Sequence, residues 1–102
     1  MYVSVSRLRV EPSATEELVE AFRSRVHLVD HFDGFLGLEV WLSDQDMGEV
    51  LMVSRWNTRA DFTAYMKSTE HKASHARVST DLKAAIRLEQ LEHLTGYEVV
   101  AQ

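Results

Sequence analysis

The chain has 102 residues, of which 45% are hydrophobic and 26% are charged, and its formal net charge is −5. This length and balance predict one folded domain over residues 1–102, and they exclude a disordered or collagen-like chain. Sixteen acidic residues outnumber the eleven Lys and Arg residues, which argues against nucleic acid as a partner.

Cysteine is absent, which removes disulfides, thiolate zinc sites and cysteine nucleophiles. No stretch approaches the run of about eighteen apolar residues that a membrane span requires. Arg7 and Arg9 interrupt the segment that would have to form the apolar part of a signal peptide. We therefore expect a cytoplasmic protein without a membrane partner.

A first strand is predicted over residues 2–10, because this stretch is rich in β-branched residues and Pro12 follows it. Side chains alternate along a strand, so the two faces differ. Val3 and Val5 lie on one predicted face, and the other face carries Ser4, Ser6, Leu8 and Val10.

A first helix is predicted from the capping box Ser13–Glu16 to about His31. Its apolar residues recur at helical spacing, namely Leu18, Phe22, Val26 and Val29. His27 and His31 near its end suit the negative pole of the helix dipole.

Two strands follow, over residues 35–42 and 50–56, with a polar hairpin loop between them. Both strands are apolar on two faces, which indicates burial on both sides of the sheet. In the first of them, strict alternation predicts that Phe35 and Trp41 share one face. Trp41 and Trp56 are interpreted as packing residues.

Thr58, with Asp61 three residues later, begins a second predicted helix, and Phe62, Tyr65 and Met66 form its buried stripe. Residues 68–78 are predicted to add a helical turn or two, and residues 80–93 a further helix or a lid. Residues 94–101 are predicted to be the last strand.

This order of elements predicts an α+β fold: a ferredoxin-like, four-stranded antiparallel sheet with helices on one face. Two helices cover only one side of such a sheet, whereas the apolar residues of three strands require cover on the other side. We therefore expect a homodimer in which two sheets meet face to face.

The same order, the segment "GFLGLEVW" and the run "SRWNTRADFTAYMKSTEHKASH" resemble the antibiotic biosynthesis monooxygenase domain family of dimeric α+β barrels. The spacing from Trp56 through Phe62 and Tyr65 to His75 is similar to that of the bacterial haem-degrading branch. The resemblance implies a monooxygenase that takes a small aromatic or tetrapyrrole ligand.

For this branch the resemblance implies three site residues. His75 falls at the position of the histidine that ligates haem iron, Tyr65 at that of a tryptophan, and Ser6 at that of an asparagine. Haem would then be both substrate and cofactor, with Ser6 and Tyr65 shaping the catalytic pocket around it.

Other interpretations stay open. His75 is also compatible with an exposed helical histidine, and Tyr65 with a core residue of its stripe. His71 and His75 have the spacing of a zinc helix, but Lys72 stands where such a motif carries its Glu. Gly34 and Gly37 do not form a phosphate loop, so flavin and nucleotide binding have no support.

Two further functions compete with haem degradation. One is cofactor-independent oxygenation of a phenol or quinol, in which Tyr65 or a histidine would handle the proton. The other is a dimer that binds a small ligand without catalysis, because a fold does not determine a function.

Overall fold

The computed structural model describes residues 1–23, 28–69, 86–88 and 94–102. Its elements, in chain order, are β1 (Tyr2–Val10), α1 (Thr15–Arg23), β2 (Phe35–Leu42), β3 (Glu49–Trp56), α2 (Arg59–Met66), β4 (Ile86–Leu88) and β5 (Leu94–Glu98). The predicted order of strands and helices is confirmed, with one short strand added before the last. None of the helices in these ranges is long and apolar enough to cross a membrane.

The five strands form one antiparallel sheet in which β1 is central. It pairs with β3 along nearly its whole length, and β3 pairs with β2. On the other side of β1, residues 2–6 pair with β5 and residues 8–10 pair with β4. Because β4 and β5 share one strand position, the sheet keeps the four-stranded ferredoxin-like order.

The side of the sheet that faces the helices carries two apolar clusters. The α1 cluster has buried residues from the first helix and two strands: Leu8, Val10, Leu18 and Val50. The α2 cluster contains Val29, Trp56 and Tyr65, with Tyr2, Phe32, Phe35, Phe62 and Met66 packed against it. Leu18 of α1 belongs to the first cluster and Tyr65 of α2 to the second, so each helix packs on the sheet through its own cluster. Burying one large apolar side chain stabilises a fold by about 1.5–3 kcal/mol.

The two helices begin differently. The Thr58 hydroxyl caps α2, because it accepts a hydrogen bond from the Asp61 backbone N–H at 3.1 Å, as predicted. The first α-helix begins at Thr15 rather than after Ser13, since Pro12–Ala14 form a 3-10 turn. The single helix predicted to run to about His31 is also wrong at its end, because Leu28–His31 form another 3-10 turn.

The start of β2 departs from strict alternation. A register shift between Phe35 and Gly37 places Phe35 opposite Trp56, and Phe35 packs against the α2 cluster. The prediction that Phe35 shares a face with Trp41 is therefore wrong, because an irregular extra residue moves one side chain to the other face of a strand.

The predicted helix over residues 80–93 is wrong at residues 86–88, which form strand β4. Pairing of β5 with β1 ends at Ser6, so the backbone of residues 8–10 needs another partner, and β4 supplies it. The other positions of that prediction lie outside the described residues, as do residues 70–78 of the preceding helical turn.

The opposite side of the sheet, the open face, is covered by neither α1 nor α2. It is formed by alternate residues of the paired strands, including Val3, Val5, Trp41, Leu51, Val53 and Tyr97. Trp41 and Tyr97 remain 47% and 54% exposed, whereas Val53 is buried. The open face therefore presents large apolar groups in the single chain.

Candidate functional site

Three hydroxyl side chains lie between the two apolar clusters on the helix-facing side of the sheet. Ser4 and Ser6 belong to β1, and Ser54 belongs to β3. Ser4 is directly opposite Ser54, and Ser6 is directly opposite Met52. We call these three residues the serine band. Ser6 thus lies on the helix-covered face, as its alternation with Val3 and Val5 predicts.

On β1 and β3 the helix-facing positions outside the serine band are apolar or aromatic. Ser4 is only 3% exposed, whereas Ser6 and Ser54 are partly buried. Covered positions of inner strands are normally filled by apolar side chains, since a hydroxyl gains little from being removed from water. Polar residues that break this rule are typical of binding sites. The band therefore marks this part of the sheet as the candidate site.

Tyr65 stands on α2 above the same side of the sheet. Its ring lies 5.2 Å from the Phe32 ring in an edge arrangement and 5.3 Å from the Trp56 ring. Tyr65 is 9% exposed and Trp56 only 1%, so the packing role predicted for Trp56 is confirmed. The Tyr65 ring is therefore a packed part of the α2 cluster.

A hydrogen bond connects the α2 cluster to the serine band. The Trp56 indole N–H donates to the Ser54 hydroxyl oxygen at 3.0 Å. These two side chains share a face because they are two residues apart on β3. Sequence reasoning did not select Ser54, and alternation with Trp56 is the signal that could have found it.

His75, the candidate iron ligand, lies outside the described residues, as do His71 and His27. His31 ends a 3-10 turn and is exposed. In residues 1–23, 28–69, 86–88 and 94–102, no three side chains of His, Asp or Glu come together in a way that would hold a metal ion. The structure thus places Ser6 and Tyr65 on one side of the sheet, and the role of His75 stays a prediction.

Two surface cavities lie away from the serine band. One, of about 480 Å³, is lined by Trp41, Leu42, Ser43, Asp44, Glu49 and Leu51. The other, of about 360 Å³, is lined by His31, Phe32, Asp33, Asp61 and Ala64. Neither contains Ser6 or Tyr65. Trp41, predicted to be a packing residue, is not in the core of the single chain, because it projects from the open face into the first cavity.

The ion pairs between described residues of β1, β2, β3 and their hairpin lie on the open face and at the hairpin. Hydrogen bonds from Arg55 and Trp41 hold the pKa of Glu39 below its ordinary range. A hydrogen bond from Arg9 does the same for the pKa of Asp46. These carboxylates do not belong to the serine band, whose three members are all neutral. The band can therefore donate and accept hydrogen bonds without contributing charge.

Comparison with known proteins identifies relatives of this arrangement. Residues 1–77 match the antibiotic biosynthesis monooxygenase family. A heme-degrading monooxygenase of Halalkalibacterium halodurans is 35% identical over 79 residues, which are 76% of this chain and 67% of that protein. A heme-degrading monooxygenase of Bacillus thuringiensis is 33% identical over 78 residues, which are 74% of this chain and 72% of that protein. These matches confirm the prediction of a monooxygenase-type enzyme.

Solved structures show the same fold. The heme-degrader MhuD of Mycobacterium tuberculosis, with two hemes bound in its active site, superposes with a TM-score of 0.80 at 22% identity, covering 100% of this chain and 98% of its own. An antibiotic biosynthesis monooxygenase family structure from Bordetella bronchiseptica superposes with a TM-score of 0.79 at 12% identity. The match covers 98% of this chain and 97% of that chain. The chain belongs to the antibiotic biosynthesis monooxygenase family and has its ferredoxin-like α+β fold.

Proposed function

We propose that this protein binds haem on the helix-facing side of its sheet and degrades it oxidatively. The observation that carries the proposal is the serine band, a neutral polar strip between two packed apolar clusters. A flat tetrapyrrole requires apolar walls together with a few polar contacts, and this surface offers both. The two relatives that are 35% and 33% identical are themselves heme-degrading monooxygenases, which supports the same substrate.

Each candidate residue has a role in this proposal. His75 would hold the iron through its neutral imidazole. The Ser6 hydroxyl, partly buried on β1, would hydrogen-bond the ligand. Tyr65 would wall the pocket with a ring that Phe32 and Trp56 hold in place. When bound, haem supplies the oxygen chemistry, while the protein supplies position and excludes water.

The test of binding is a haemin titration of the purified protein, followed through the Soret band. We expect saturable binding with a shifted band in the parent protein. We expect His75→Ala to weaken binding or change the spectrum, and His71→Ala, one helical turn earlier in the predicted helix, to leave both unchanged. A parent protein without saturable haemin binding refutes the proposed function. Equal effects of the two variants refute the role of His75 alone.

The test of catalysis adds a chemical reductant and dioxygen to the haem complex. We expect the Soret band to disappear and an open-chain tetrapyrrole to form, with catalase present to remove free hydrogen peroxide. Mass spectrometry of the product separates enzymatic ring opening from bleaching. A haem complex that is stable under these conditions means that the protein binds haem without degrading it.

We also propose that the protein is a homodimer joined through the open face. Trp41 and Tyr97 expose about half of their surface there, beside the partly buried Val3, Val5 and Leu51. Such a patch favours a partner sheet. Light scattering at micromolar concentration should give twice the mass of one chain. Trp41→Glu should shift the mass toward the monomer, and Met47→Glu, in the hairpin loop, should not. A monomeric parent protein refutes the proposal.

A further inference from the structure

One row of four residues crosses the open face from edge to edge. Gly37 of β2 is opposite Arg55 of β3. Arg55 is opposite Val3 of β1, and Val3 is opposite Tyr97 of β5. In the part of the sheet that the structure describes, β2 pairs only with β3 and β5 only with β1, so these two strands lie at opposite edges. The row therefore begins at a residue without a side chain and ends at a large aromatic one.

Gly37 leaves a notch at its end of the row. A Cβ added to Gly37 would have none of the described atoms outside its chain neighbours within 4 Å. A bulge that needs glycine holds it at positive φ, and among the described glycines only Gly34 has such a φ. Neither space nor backbone conformation requires glycine at this position of the single chain. A glycine inside a strand also marks places where another chain approaches closely.

Tyr97 has the shape that such a notch accepts. It is 54% exposed, and no hydrogen bond within the described ranges holds its hydroxyl. Trp41, the other large exposed ring of the open face, is held within its own chain, because its indole N–H donates to Glu39 at 3.1 Å. Tyr97 is therefore the ring of this face that is available to a partner.

Two-fold symmetry brings the two ends of the row together. When two open faces meet about an axis that runs along the strands, each row is reversed, and its Tyr97 end lies over the Gly37 end of the other row. Facing sheets are about 10 Å apart, so a large side chain fits best opposite a small one. The rim of the notch is polar, since Arg55 donates to Glu39 at 3.2 Å beside Gly37. A buried tyrosine hydroxyl requires polar groups of this kind.

We propose that Tyr97 of each protomer inserts into the notch at Gly37 of the other protomer. The two contacts are equivalent by symmetry, and together they fix how the two sheets are aligned. This inference rests on the proposed homodimer, and it names the residues through which a second copy of the chain is recognised. It is independent of haem binding.

The experiment is a double-mutant cycle on the dissociation constant of the dimer, measured by sedimentation equilibrium. Gly37→Val fills the notch, and Tyr97→Ala removes the ring. Each change should raise the dissociation constant at least about tenfold, because every dimer contains the contact twice. In the Tyr97→Ala background no ring enters the notch, so Gly37→Val should change the constant less than about twofold. Gly37→Ala, a smaller change, should show the same pattern with a smaller effect.

The Trp41→Glu background, expected to be monomeric, tests the strand itself. There Gly37→Val should leave the midpoint of urea unfolding unchanged or raise it, because glycine weakens a strand interior. A lowered midpoint assigns the effect to the strand and overturns the inference.

The remaining outcomes separate this inference from the homodimer on which it rests. A dimeric parent in which Gly37→Val has no effect, or the same effect with and without Tyr97, overturns the inference and leaves the homodimer intact. Coupling of Gly37→Val to Trp41→Ala instead of Tyr97→Ala also overturns it, since an axis across the strands would bring Trp41 to the notch. A monomeric parent protein overturns both.

Discussion

Replacing Tyr65 tests whether its ring is a packed part of the hydrophobic core. Tyr65 is 9% exposed, and the centroid of its ring lies 5.2 Å from that of Phe32 and 5.3 Å from that of the Trp56 ring. Tyr65→Ala removes this ring. Removing a buried aromatic ring in this way costs about 3–5 kcal/mol, because both transfer energy and a cavity are involved. The free energy of unfolding of native proteins is about 5–15 kcal/mol in total, so we expect Tyr65→Ala to remove at least about a fifth of it.

Tyr65→Phe is the matched control, since it keeps the ring and its two aromatic contacts and should cost less than about 1.5 kcal/mol. Urea unfolding followed by tryptophan fluorescence suits the comparison, because Trp56 touches the Tyr65 ring. A Trp41→Phe background removes the exposed second emitter. If Tyr65→Ala costs less than about 1 kcal/mol, the ring is not part of a packed core and the reasoning is refuted.

Three further predictions concern the frame around the site. Thr15→Val should cost about 1–2 kcal/mol in chemical denaturation, because the buried hydroxyl donates to the Met47 carbonyl at 2.6 Å; an unchanged midpoint would contradict this. Gly34→Ala should cost about 1–3 kcal/mol, since Gly34 has a φ of 83°, and a thermal midpoint equal to the parent's would count against that strain. The hydrogen bond from Arg9 lowers the pKa of the Asp46 carboxyl in the folded state. The stabilisation that this bond gives the fold is therefore fully present above the unfolded-state pKa of the carboxyl, and it is lost as the pH falls through the folded-state pKa. Asp46→Asn should therefore be less stable than the parent at neutral pH and should converge with it in acid; a constant difference across this range would exclude the linkage.

The parts of the fold that the sequence predicts well are those in which the local pattern and the tertiary environment agree. The bounds of β1 follow from its β-branched residues and Pro12, those of β2 follow from its apolar run before the polar hairpin loop, and the start of α2 follows from the Thr58 cap. The prediction fails where pairing decides the structure. Phe35 changes face at an irregularity in register, and residues 86–88 pair with the unpaired end of β1 although their neighbourhood has a helical composition.

The candidate site shows the same division. Ser6 is placed on the helix-covered face by period two alone, and Tyr65 is placed in the core stripe by its spacing from Phe62. For Ser54 the same period two shows only that it shares a face with Trp56, and a serine in a strand is unremarkable by itself. Its interest comes from the register with Ser4 and from the Trp56 indole, which are properties of the folded sheet. Only the structure could supply them.

The arrangement of the core determines which site residues can change without loss of the fold. Tyr65 belongs to the α2 cluster, so its replacement alters the packing of that cluster. Ser6 belongs to neither cluster, so we expect its replacement to cost little stability. The expected cost of replacing Ser54 lies between these two cases. Ser54 is a member of the serine band, but its hydroxyl accepts a hydrogen bond from Trp56 of the α2 cluster. The polarity of the proposed site can therefore vary through Ser6 while the two clusters keep the sheet and helices in place, in line with the rule that one fold supports several functions.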